Sequence, residues 1–198
     1  MVTPAAKPVG SPCVEPAMSR GFTKEDDAQT PPIIPPRAAL PPGTPNYVTP
    51  TGLEQLRAEL VALEVERAQA DANRDNDIDR THLLSLYNGR IALLTERLGS
   101  AKLVDPRTQP LKDVRFGATV MLRTVSGGNQ RLASAKVGFE RQFTIVGVDE
   151  ANIAEGKVAF VAPIVRAVLG AKLGKKVTLR LGPQEEVVEI AGIAYAEA

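Results

Sequence analysis

Two leucine stripes flanking an acidic stretch constrain this chain more than any other feature. Leu53, Leu56, Leu60 and Leu63 recur at intervals of three and four, and the frame runs on through Arg67 to Ala70. A second stripe contains Leu84, Tyr87, Ile91, Leu94, Leu98 and Ala101. Each is a coiled-coil seam too narrow to be stable alone. Antiparallel pairing sets Leu53 against Ala101, Leu56 against Leu98, Leu60 against Leu94, and Leu63 against Ile91. Arg67 then faces Tyr87 and Ala70 faces Leu84, and all six pairs share one midpoint, Asp77. The pattern predicts a two-helix finger with its tip near 73–81. Thr51-Gly52-Leu53-Glu54 fits a capping box at its start. Roughly 20 residues per arm give a length of about 30 Å.

The tip sequence is DANRDNDIDRTH, residues 71–82. Asp71, Asp75, Asp77 and Asp79 place carboxylates within a few residues of one bend. Hard cations such as Mg²⁺ favour these oxygens and often share a site with phosphates. A solvated turn with helix-capping aspartates is the competing reading. The D-x-D-x-D spacing lacks the glycine and distal glutamate of a calcium loop.

The finger separates two unlike regions. Residues 1–46 hold most of the chain's 16 prolines, which predicts a disordered, partly polyproline tail. Met18 begins MSRGFTKEDD like a natural start, with 1–17 as an upstream extension. From Pro106 onward the period becomes two. Strands are expected over Ala118–Thr124, Arg141–Val146, Lys157–Val161, Lys176–Leu181 and Glu186–Tyr195. Pro163 opens a short helix that Gly170 closes, and Ser126-Gly127-Gly128-Asn129 reads as a turn. The expected organisation is a tail over 1–46, an antiparallel coiled-coil finger over 47–105 and a globular α+β unit over 106–198.

Composition narrows the chemistry. The formal charge is +1, divided as 0, −3 and +4 over those three regions, which gives no general attraction to nucleic acid or membrane. Cys13 is the only cysteine, so no intrachain disulfide or thiolate metal site is expected. His82 is the only histidine and reads as a surface-helix residue rather than part of a triad. P-loop and dinucleotide fingerprints are absent. No apolar run approaches membrane-spanning length, and a cytoplasmic setting is expected.

Five blocks in order resemble the GreA/GreB family of bacterial transcription elongation factors. They are YVTPTGLEQLRAEL (47–60), GRIALLTERLGSAKLVD (89–105), RFGATVML (115–122), FTIVGVDEA (143–151) and APIVRAVLGAKLG (162–174). The start MSRGFTKEDD is more like the GreB-like branch. The resemblance implies an FKBP-like C-terminal domain that grips the rim of RNA polymerase's secondary channel. It also implies that the finger enters the channel and its acidic tip helps hold the polymerase's Mg²⁺. The polymerase then cleaves its own backtracked transcript, so the factor is not an enzyme and carries no cofactor of its own. Candidate tip residues are Asp75, Asp77 and Asp79. Asp149, Glu150, Pro163 and Ile164 are carried over as candidates for binding the polymerase. A monomer is implied, meeting nascent RNA and template only within the polymerase complex.

This sequence departs from the family pattern in three places. The usual tip has an aspartate and a glutamate three residues apart, whereas RDNDIDR has carboxylates at alternate positions and no glutamate. Each arm is shorter by roughly seven residues, about 10 Å of reach. Position 162 is alanine where serine is usual. Besides cleavage stimulation, the alternative is a channel-binding regulator that does not cleave. A peptidyl-prolyl isomerase or a general nucleic-acid-binding module is less favoured. The aromatic residues of the C-terminal region (Phe116, Phe139, Phe143, Phe160 and Tyr195) are mostly claimed by strands, and its basic residues lack a stacking surface.

Overall fold

The computed structural model describes residues 32–127, 136–181 and 184–195. The first 31 residues of the tail expected over 1–46, with Cys13 and Met18, lie outside them, as do Gly128 and Asn129. Proline-rich residues 32–45 are held against the rest of the chain by Arg37, whose guanidinium pairs with Glu59 and Asp149. Proline removes ladder donors, but side chains can still anchor an extended segment.

Strand β1 (Asn46–Val48) leads into helix α1 (Pro50–Ala72), and helix α2 (Asp77–Gly99) returns to strand β2 (Ala101–Leu103). β1 and β2 pair in parallel and close the base of the hairpin. Each helix has 23 residues, about 34 Å at the usual rise. Leu56, Leu63 and Leu94 are buried with Val48 in one cluster, packed by Leu53, Leu60, Tyr87, Ile91, Leu98 and Ala101. The two stripes thus form a common core. Their ends differ from the expectation. Ala101 lies in β2, and the bend is 73–76, so the hairpin is centred on Arg74 and Asp75 rather than Asp77. Asn76 supplies the physical reason: its side-chain oxygen accepts from the Ile78 and Asp79 amides, starting α2 earlier.

The α1 cap also shifts. Thr49, not Thr51, is the N-cap; its hydroxyl accepts from the Gly52 amide, and Pro50 occupies the first helical turn. Proline is favoured there because its missing N–H would have no helical partner. Thr51 is already helical, which removes the proposed capping box.

The remainder is a five-stranded mixed sheet in the order β5-β4-β3-β7-β6. It comprises β3 (Ala118–Gly127), β4 (Glu140–Val146), β5 (Lys157–Ala159), β6 (Lys176–Leu181) and β7 (Gln184–Tyr195). Helix α3 (Pro163–Val168) precedes β6. Ser126 and Gly127 extend β3 instead of turning. Val120, Leu122, Ile145, Leu179, Val188 and Ile190 are buried with Val165 and Val168 from α3. The period-two strands and the proline-started helix therefore share one hydrophobic core. The architecture is α+β, with helices preceding a mixed sheet.

Candidate functional site

Two sets of candidate residues lie in opposite environments. The first is the tip. Asp77 and Asp79 occupy the first turn of α2, where a carboxylate is stabilised by the exposed amides and helix dipole. Asp79 Oδ2 accepts from Asn76 Nδ2 at 2.7 Å. Arg80 reaches across the bend to Asp71 at 3.2 Å and, within the first turn of α2, to Asp77 at 3.3 Å. Asp75 differs: its backbone amide donates to Asn73 Oδ1, while its carboxylate pairs with no side chain among the described residues. Three of four tip aspartates thus help shape the turn. Among the described residues, no group of three His, Cys, Asp or Glu side chains is arranged to hold a metal ion. His82 is exposed on α2.

The second set begins at Asp149 and Glu150, in the turn after β4. Asp149 has only 6% of its side chain exposed, despite lying in a turn. Its Oδ1 accepts from Arg37 Nε at 3.1 Å, and Oδ2 lies 3.3 Å from Arg97 Nε of α2. That second contact is an ion pair without hydrogen-bond geometry, since Oδ2 has no hydrogen-bond donor. Arg37 also grips Glu59 of α1 with two bonds, at 2.9 and 3.0 Å. The hydrogen bond to Glu59 raises the Arg37 pKa above its ordinary value, joined by the charges of Glu59 and Asp149 and opposed by burial.

Glu150 extends the α1 cap. The Gly52 amide donates to Thr49 Oγ1 at 2.9 Å, and that hydroxyl donates to Glu150 Oε2 at 2.5 Å. Gly52 leaves the space this arrangement requires: an added Cβ would lie 2.6 Å from Glu150 Oε2. The carboxylate therefore sits at the positive end of α1. Both acidic side chains thus tie the turn after β4 to the hairpin, Asp149 through Arg97 and Glu150 through Thr49. The sequence reading missed this role because the Arg37 and Thr49 partners are distant in the chain. Thr49-Pro50 was the available local signal for the cap.

Pro163 and Ile164 start α3. Pro163 is exposed, whereas Ile164 is partly buried against the core. Ala162 is the N-cap and makes no side-chain cap bond. Phe116, Phe143 and Phe160 are core residues. Tyr195 Oη donates to the Asp113 carbonyl at 2.6 Å, and burial raises its pKa. Among the described residues, no helix is long and apolar enough to cross a membrane.

A family model described as "Transcription elongation factor, GreA/GreB, C-term" matches residues 109–195. GreB from Neisseria meningitidis serogroup A is 32% identical over 166 residues, covering 77% of this chain and 95% of that protein. GreA from Alkalilimnicola ehrlichii is 32% identical over 163 residues, covering 75% and 97% respectively. A solved GreA/GreB structure from Nitrosomonas europaea matches at 22% identity and a TM-score of 0.34, covering 75% of this chain and 98% of its own. GreA and GreB relatives match at equal identity, which assigns the family without choosing a branch. The chain belongs to the GreA/GreB family of transcription elongation factors.

Proposed function

We propose that this chain regulates transcription by placing its helical hairpin in RNA polymerase's secondary channel, without stimulating transcript cleavage. Family membership makes it an accessory factor rather than an enzyme. The observation carrying the non-cleaving reading is the commitment of Asp71, Asp77 and Asp79 to Arg80 and Asn76. These contacts support a turn-forming role for the tip. The shortened-finger interpretation points the same way, because a carboxylate roughly 10 Å away cannot coordinate a metal. The sheet region is read as FKBP-like and as the polymerase-rim module, with exposed Pro163 and neighbouring Ile164 at its contact surface. Asp149 and Glu150 contribute indirectly, through their contacts with the hairpin. The GreB-like branch remains part of this proposal on the strength of MSRGFTKEDD.

Asp75 favours a second reading, in which the tip assists cleavage, because its exposed carboxylate has no side-chain partner among the described residues. In that case it would supplement the metal-binding groups of the polymerase. The decisive experiment measures RNA cleavage in backtracked complexes while monitoring factor binding. Binding with no cleavage above polymerase alone is the expected result. Accelerated cleavage that disappears in the combined Asp75→Asn, Asp77→Asn and Asp79→Asn variant, with binding retained, would establish the second reading.

A further inference from the structure

The segment from Pro32 to Pro45 has three kinds of attachment that a loose linker does not need. Ile34 sits over Gly89 of α2, where an added Cβ would lie 2.0 Å from Ile34 Cδ1. Glycine is costly inside a helix relative to alanine, but here it provides a seat for another side chain. Arg37 joins Glu59 of α1 to Asp149 beyond β4. Further along, Arg97 Nη2 donates to the Ala38 carbonyl, and Leu40 packs against the sheet-side core. A Pro41–Thr44 turn then leads into β1, with the Thr44 amide donating to the Pro41 carbonyl at 3.1 Å.

These contacts cross the junction between hairpin and sheet, which Tyr47 of β1 also bridges by packing on Phe116 and Phe160. The strongest packing is within the hairpin or within the sheet, with few residues joining the two helices to the five strands. A guanidinium with a fixed donor fork can tie carboxylates on both bodies at once. Prolines in the strap restrict its backbone before docking, which lowers the ordering cost of attaching it.

We propose that residues 32–45 form an orientation strap, with Arg37 as the positioning residue that sets the hairpin's angle on the sheet region. Asp149 receives Arg37 from the strap and Arg97 from α2, so one carboxylate registers both against the turn after β4. Gly89 and Ile34 fix where the strap crosses α2. The use of this angle for channel entry rests on the proposed function, but its existence does not.

The test uses the full chain with Cys13→Ser, Asp75→Cys and Ile153→Cys, carrying spin labels at the two new cysteines. The distance distribution between tip and sheet region is then measured without polymerase. One narrow distribution is expected for this background, and Arg37→Ala should broaden it at least twofold. Arg37→Lys should fall between them, because one ammonium cannot reproduce the bidentate Glu59 contact while holding Asp149. Gly89→Ala supplies an independent arm: it improves helix propensity but displaces Ile34, so it should broaden the same distribution. It should also accelerate trypsin cleavage after Arg37 about tenfold, with unchanged circular dichroism. Unchanged distances in both Arg37→Ala and Gly89→Ala would overturn the strap. Should Arg37→Ala fail to fold, Gly89→Ala and Glu59→Gln decide the matter through the same distance measurement. Failure of polymerase binding or regulation, with the strap result intact, would instead reject the proposed function.

Discussion

The base and tip of the hairpin use the same residue type for different physical work. At the base, Asp149 is removed from solvent and faces two arginines. Near the tip, Asp75, Asp77 and Asp79 remain exposed, and the carboxylates of Asp77 and Asp79 make local contacts that shape a turn. A buried carboxylate is costly unless partners compensate its charge, whereas exposed pairs contribute little because water screens them. Acidic composition therefore says little about role until burial is known. In this molecule an aspartate carried over as a polymerase-binding candidate joins Arg37 and Arg97 to the turn after β4.

The comparison can be broken most forcefully at Asp149. Asp149→Ala should destabilise the fold by about 3 kcal/mol, because Arg37 and Arg97 lose a buried partner. Urea unfolding measures this, and a change below about 1 kcal/mol would put Asp149 in the same class as the tip aspartates. Leu94→Ala separates apolar packing from the ion network and should cost about 3 kcal/mol through a cavity in the hairpin core. Its effect should leave the Arg37–Asp149 coupling measurable in a double-mutant cycle.

Smaller changes sharpen the contrast at helix ends. Thr49→Ala should cost about 1 kcal/mol by removing the α1 cap and the Glu150 partner. Ala162→Ser should act in the opposite direction, adding about 0.5 kcal/mol of stability if serine supplies the cap bond missing from α3. Equal thermal stability for that variant would show that the short helix gains nothing from this cap. At the tip, Asp75→Asn should change unfolding free energy by less than about 0.5 kcal/mol. A larger loss would reveal structural work by Asp75 that its exposed position does not predict.

The hairpin was legible in the sequence because its leucines repeat with the geometry of a helix. KVTLRL was legible for the corresponding reason: alternation brings Leu179 to the buried face of β6. Local pattern was less successful at boundaries. Thr51 followed by Glu54 resembled a cap, but Thr49 and Pro50 take that role; Asn76 likewise moves the bend toward the N-terminus. Several residues can satisfy a short capping pattern, and the amides that need partners are known only once the helix start is fixed.

The candidate site shows where sequence information ends. The carried-over Asp149 and Glu150 were recognisable as a pair, but their contacts depend on Arg37 and Thr49, separated by 112 and 101 positions respectively. No local periodicity connects such residues. Sequence by itself determined the two helical seams, the alternating strands and the acidic character of the turn. Tertiary structure decided which acids face solvent, which arginines neutralise the buried one, and why a proline-rich segment can be held in place. The physical reason is that backbone periodicity is written in neighbouring residues, whereas burial and charge compensation arise only when distant parts of the chain share the same space.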